Sequence, residues 1–249
     1  PMINVSPQLY RGFSLRFWVT AIATMGIIFF TYTQPVLRIL QNGGQINQEY
    51  HNELISTALS SDTLSVFLPA LATIPLSAGY LEDIKNKASR FFLIRGSYSD
   101  YLLGHCITCW LCGGDAVLLG AGTAWGITAI TFTPLERIVE NPPELGRQII
   151  EQIILLFLNG GLWAALGMTM STIMESKYIA YASPFIVYYL LVILYERYFP
   201  NAWLLYPKNW LDPEVWPYGV GSAALFLLEL TFLCGLVFYI RGKRRLEQL

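Results

Sequence analysis

Charge is what this sequence has least of: Asp, Glu, Lys and Arg make up 13% of its 249 residues, about half the 25% of an ordinary soluble domain. With 54% of residues hydrophobic and 14% aromatic, intrinsic disorder is excluded, because it requires high charge and few aromatics. A net charge of −1 gives no overall attraction to nucleic acid. Four cysteines are too few for a disulfide-stapled scaffold. The only histidines are His51 and His105, and no HExxH zinc pair occurs. The single Gly-Lys step, Gly242-Lys243, lacks the upstream glycine of a phosphate loop, so the chain does not hydrolyse ATP by that route. No GxSxG elbow occurs. The chain does not read as an enzyme.

Long apolar runs are abundant, and the mean hydropathy is +0.46. A membrane-spanning helix needs about 20 mostly apolar residues, and six stretches qualify: 17–36, 63–81, 101–131, 149–174, 178–195 and 218–240. The expected fold is an all-α integral membrane domain over 1–249 with six transmembrane helices. Pro69 and Pro75 are expected to kink the second span. The third is too long for one straight crossing, and Gly113-Gly114 is its expected break. Polar segments fall at 38–62, 82–100, 132–148, 175–177 and 196–217. No secretory signal is evident, since the first apolar run begins near Phe17 and is long enough to span.

Six crossings put both ends on one side, and positive charge says which. One side holds Arg11, Arg16, Lys85, Lys87, Arg90, Arg95, Lys177, Arg241, Lys243, Arg244 and Arg245; the other holds Arg38, Arg137, Arg147, Arg197 and Lys208. Eleven against five assigns both termini, 82–100 and 175–177 to the cytoplasm.

On that side, Leu81, Ile84, Ala88 and Phe91 recur at helical spacing, with Glu82, Asp83, Lys85, Lys87 and Arg90 around them. This predicts a short amphipathic helix. It suits either a helix resting on lipid headgroups or a docking element for a cytoplasmic partner. On the opposite side, 196–217 places Phe199, Trp203, Tyr206 and Trp210 at helical spacing, while Pro200, Pro207 and Pro213 forbid one long helix. Short helices dipping into the interface, or an aromatic belt, account for Trp203, Trp210 and Trp216. In either case the segment is expected to be packed.

Cys106, Cys109 and Cys112 follow one another at i, i+3, i+6 beside His105. On a helix they spread over about 120°, which converges poorly on a tetrahedral metal, so helix packing is the better reading. Asp115 and Glu229 lie near the middle of the third and sixth spans with no Lys or Arg at that depth. A charge there costs about 2.5–3.5 kcal/mol. The pair marks either a polar translocation pathway or a protonated hydrogen bond between helices. Gly113, Gly114, Gly120, Gly122, Gly160, Gly161 and Gly167 allow close helix approach, and equally allow sliding between two packings.

Taken together, the plan resembles the membrane subunit of ABC-2 type ABC exporters. Locally the resemblance is carried by Glu82-Asp83-x-Lys85, by Arg95-Gly96, by Tyr101-Leu102-Leu103-Gly104, and by Tyr206-Pro207-x-Asn209-Trp210-Leu211. His105 stands where a Lys is common in that family. The resemblance implies a permease in a cell membrane, in the manner of a bacterial plasma membrane, paired with a second permease subunit. A separate cytoplasmic ABC ATPase, carrying ATP and Mg, would dock on Glu82, Asp83, Ile84, Lys85, Lys87, Arg90 and Phe91 of a coupling helix at 82–95. The outer aromatic segment would be a re-entrant hairpin. No cofactor is implied in this chain. The implied cargo is a hydrophobic or amphipathic compound such as a peptide or antibiotic. A membrane scaffold or immunity protein, or an ATP-independent channel or carrier, would use the same helices.

Overall fold

The computed structural model describes residues 11–42, 46, 48–87, 97–137 and 145–248. Among these residues the chain is helical throughout, without a β-strand. The α-helices are α1 (Leu15–Asn42), α2 (Tyr50–Leu59), α3 (Asp62–Thr73), α4 (Gly79–Lys85), α5 (Tyr98–Phe132), α6 (Leu145–Met174), α7 (Lys177–Ile193) and α8 (Val220–Leu246). Five of them, α1, α5, α6, α7 and α8, are long and apolar enough to cross a membrane. The bent pair α2–α3 makes a sixth if counted as one broken span. The chain is therefore built as a multi-pass membrane protein is built.

At the centre stands α6, packed against α5, α8, α7 and α3. In its most apolar stretch 72% of residues are buried, against 17% for α7 and for α8 and 28% for α1. Those three outer helices turn most of their apolar surface outward, as they would toward lipid. The Ser183 hydroxyl of α7 is buried without a partner among the described residues, but Thr20, Thr24, Thr31 and Thr231 of α1 and α8 each donate to the carbonyl four residues back. Such internal bonds let a hydroxyl reside in hydrocarbon without an unpaired donor.

Two expectations change here. The stretch 63–81 is not one helix. α3 ends at Thr73, just before Pro75, which has no N–H to continue the ladder, and a tight turn leads into α4. Upstream, the supposedly polar segment 38–62 contains α2, whose Leu54, Ile55, Ala58 and Leu59 are buried. α2 meets α3 at 62°, at Ser60-Ser61, where the Ser61 hydroxyl accepts from the Leu64 amide and caps α3.

The second change concerns Gly113-Gly114. α5 runs through it unbroken for 35 residues. A side chain at Gly113 would strike Ala164 and crowd the Ala72 and Gly160 carbonyls, while Gly160 lies against Gly113 and Gly114. The glycines are where α5 and α6 touch, not where α5 bends. Gly113→Leu is accordingly expected to lower the melting free energy in detergent by about 3 kcal/mol through overpacking. Gly122→Ala, which would enter open space, should be neutral or slightly stabilising. Equal effects from both would contradict the contact.

The connecting segments sort into two ends. At one, Arg11 and Arg16 pair with Asp83 and Glu82, Arg245 with Glu175, Tyr80 bonds to Gly242, and Ser99 to Tyr239. At the other, His51 pairs with Glu136, Lys208 with Asp62, and Gln152 and Gln148 bond to Ser60 and Glu214. The eleven-residue and five-residue charge groups thus occupy separate ends, as far as they are described; Arg90 and Arg95 lie outside the described residues. The former is called the basic end below.

The 196–217 segment is packed only in its later part: residues 196–201 are exposed, Tyr198 and Phe199 among them, while Pro207, Trp210, Leu211, Pro213 and Trp216 are buried. It makes three 3-10 turns (Trp203–Leu205, Pro207–Leu211, Pro213–Val215), two of them opened by proline. Trp210 stacks on Trp163 of α6 at 5.8 Å between ring centres. The indole N–H groups of Trp210 and Trp216 donate to the carbonyls of Leu204 and Asn209, both at 2.8 Å.

Candidate functional site

The most concentrated chemistry lies at the basic end, around the carboxylate of Asp83. α4 is seven residues long, and its spacing turns Tyr80, Asp83 and Ile84 inward and Lys85 outward. Tyr101 and His105, four residues apart and so on one face of α5, come up against it. Arg11 approaches from the N-terminal side. Its Nη1 lies 2.7 Å from Asp83 Oδ1 and 2.9 Å from Oδ2. The Tyr101 hydroxyl donates to Oδ2 at 3.2 Å, and His105 Nε2 sits 3.1 Å from the same oxygen. Asp83 and His105 are each 2% exposed at the side chain.

The geometry places the imidazole proton on Nε2, since a carboxylate can only accept. His105 Nδ1 is buried and has no partner among the described residues. Tyr80 packs edge-on against both His105 and Phe238 of α8, and its hydroxyl donates to the Gly242 carbonyl at 3.2 Å. One carboxylate therefore joins the N-terminal segment, α4 and α5, and Tyr80 extends the tie to α8.

Burial alone would raise the Asp83 carboxyl. The hydrogen bonds and charges of His105 and Arg11 outweigh it and hold the group below the usual carboxylate value. A depressed folded value means the contribution is fully present above the unfolded value of about 3.9 and is lost as pH falls through the folded one. Burial likewise acts to raise Glu136 at the other end. It is held low by the His51 amide and ring and the Glu49 amide, at 2.9, 2.7 and 3.0 Å. Both groups act in the same direction. Melting temperature in detergent is expected to fall steeply as pH drops below about 4, and Asp83→Asn should flatten part of that slope. An unchanged slope in the variant would contradict the assignment.

The residues expected to dock a partner divide. Lys85 and Lys87 are exposed and Glu82 is partly exposed, whereas Asp83 and Ile84 face the interior. Asp83, expected among the docking charges, is buried, and its carboxylate is engaged by His105 and Arg11, 22 and 72 residues away in the chain. Arg90 and Phe91, with the rest of 88–96, lie outside the described residues. The helix described ends at Lys85.

Asp115 and Glu229 are not brought together. Asp115 is half-buried on α5 and Glu229 is exposed on α8. Among the described residues neither has a hydrogen bond or ion pair. The cysteines diverge. Cys106 lies against Gly235 of α8, Cys109 donates to the Ala164 carbonyl of α6 at 3.5 Å, and Cys112 lies against Gly12. Each packs on a different neighbour, and no group of three His, Cys, Asp or Glu side chains among the described residues is arranged for a metal.

No family model, curated protein or solved structure matches the chain. What the site can do chemically is limited. Asp83 is pinned by a guanidinium, and the cleft of about 640 Å³ beside it is bordered by Arg11, Arg16, Gly79 and Glu82 and not by Asp83 itself. It is suited to holding segments together and transmitting displacement between them.

The sequence missed this site. Tyr101 and His105 at i, i+4 were visible, but nothing in the pattern tied them to Asp83. In the sequence His105 stands out as a neighbour of the cysteines and as a departure from Lys.

Proposed function

We propose that the chain is the membrane-spanning permease subunit of an ABC-2 type exporter for a hydrophobic or amphipathic compound such as a peptide. A separate ABC ATPase binds ATP and Mg, and its docking moves the 82–87 segment. The single observation that carries the reading is the Asp83 tie. It fixes a short helix with outward Lys85 and Lys87 rigidly to α5, so that a force applied from outside the bundle reaches a long apolar helix. The positive-charge bias supports a cytoplasmic basic end, with both termini there.

Nucleotide shifts such a system only if the ATP-bound pair of ATPases prefers one membrane conformation over the other. The tie supplies a path for that preference. Half-buried Asp115 and exposed Glu229, unpaired among the described residues of one copy, suit a second permease subunit that covers them or lines a shared pathway with them.

Two measurements test the reading. Affinity purification from the native membrane should recover an ATP-binding subunit, and Lys85→Glu with Lys87→Glu should reduce that recovery more than tenfold. Asp115→Asn with Glu229→Gln should lower ATP-dependent export in vesicles by about tenfold while the ATPase remains bound. Absence of any ATPase under conditions that keep the protein folded would overturn the proposal. So would full export by the Asn/Gln pair, which is the behaviour expected of a scaffold.

A further inference from the structure

Away from the Asp83 tie, α5 and α8 leave a groove of about 620 Å³ on the outside of the bundle. Its walls are Ile107 and Trp110 of α5 and Leu228, Phe232 and Leu236 of α8. Two of its lining polar groups are engaged, and a third, the Trp110 indole N–H, has no partner among the described residues but is itself buried out of reach of the groove. The Thr231 hydroxyl donates to the Leu227 carbonyl at 2.8 Å, and the Tyr239 hydroxyl is bonded to Ser99 at 2.8 Å. Water entering the groove would find no partner, so the space stays dry. The groove opens outward between two helices long and apolar enough to cross a membrane, so hydrocarbon is the occupant that suits it.

The stripe of α8 that lines the groove, Phe232, Leu236 and Tyr239, continues at helical spacing to Lys243. That lysine is exposed and has no ion pair among the described residues, whereas Arg245 is taken by Glu175. One turn, about 6 Å, separates Tyr239 from Lys243. The apolar groove thus ends at a free cation at the basic end, flanked by exposed Arg241 and Arg244.

We infer that this groove is a lipid site: it takes an acyl chain of an anionic phospholipid, with the headgroup phosphate at Lys243. The site requires that the chain cross a bilayer but not that an ATPase drive it, so the two readings can fail separately.

Native mass spectrometry of the delipidated protein, titrated with phosphatidylglycerol or phosphatidylcholine of the same chain length, tests the headgroup. About a fivefold preference for phosphatidylglycerol is expected, the fold-change equivalent to about 1 kcal/mol for one basic residue at an anionic surface. Lys243→Gln should abolish the preference and keep chain binding. Brominated-chain phosphatidylglycerol tests the groove in the unaltered fold: it should quench a component of tryptophan fluorescence that Trp110→Phe removes. Ile107→Trp and Leu228→Trp, which fill the groove from opposite walls, should each reduce retention of both lipids more than fivefold. Equal retention of the two lipids by the wild type would overturn the inference, as would quenching that Trp110→Phe leaves unchanged.

Discussion

Asp83→Ala is expected to lower the unfolding free energy by about 3 kcal/mol, the low end of what breaking a buried charge pair costs. The low end applies because Arg11 is 40% exposed at its side chain and can turn to water once released. His105 cannot. With the carboxylate gone, both of its ring nitrogens are buried without a partner, where Nδ1 already is. The penalty therefore comes mainly from the histidine, not from loss of attraction. A double-mutant cycle of Asp83→Ala with Arg11→Ala, followed by thermal melting in detergent, should return a coupling of about 1–2 kcal/mol. Arg16→Ala is the matched control. Its contact with Glu82 is 3.4 Å and exposed, and such pairs are worth about 0–1 kcal/mol. If Arg16→Ala destabilised as much as Asp83→Ala, the basic end would be held by diffuse charge and not by one tie. The same variant has a functional readout. Under the proposed mechanism, Asp83→Ala should leave the ATPase bound through Lys85 and Lys87 yet uncouple hydrolysis from export.

The second large effect is at Trp163. Its side chain is 2% exposed, stacks on Trp210 and lies 6.2 Å from Tyr188. It also borders a cavity of about 360 Å³ between α6, α7, α8 and the aromatic segment. Trp163→Ala is expected to cost about 3–5 kcal/mol, because the removed ring enlarges a space already incompletely filled. Trp163→Phe should recover about half of that. The distinguishing observation is local. Trp210 loses its stacking partner, so amide exchange at 203–211 should accelerate while exchange in α1 does not. Uniform acceleration across all helices would instead indicate that Trp163 supports the bundle as a whole and has no particular hold on the aromatic segment.

How legible these features were in the sequence depended on whether a residue's surroundings lie within one turn or many residues off. α1, α5, α6, α7 and α8 follow from hydropathy alone, since each carries a long apolar run of its own. α2 does not, because Tyr50–Leu59 interleaves His51, Asn52, Glu53, Ser56 and Thr57 with its four buried apolar residues. Only the packing against α1, α5 and α6 shows which face matters. Gly113-Gly114 illustrates an ambiguity intrinsic to glycine, which reads equally as a weak point in a helix or as room for a neighbour; Gly160 across the interface decides it. Asp83 is the sharpest case. An acidic residue amid Lys85 and Lys87 looks like surface charge. Its burial is dictated by Arg11, Tyr101 and His105, none of which is near enough in sequence to register.

Site-specific photocrosslinking at Lys87 in intact cells, with a matched probe at Lys208 on the opposite end, tests the central claim most directly. The account predicts an ATP-dependent crosslink from position 87 to an ATP-binding subunit and none from position 208. A position-87 probe that a membrane-impermeant reagent reaches from outside the cell, or that never captures such a subunit while position 208 does, would contradict it.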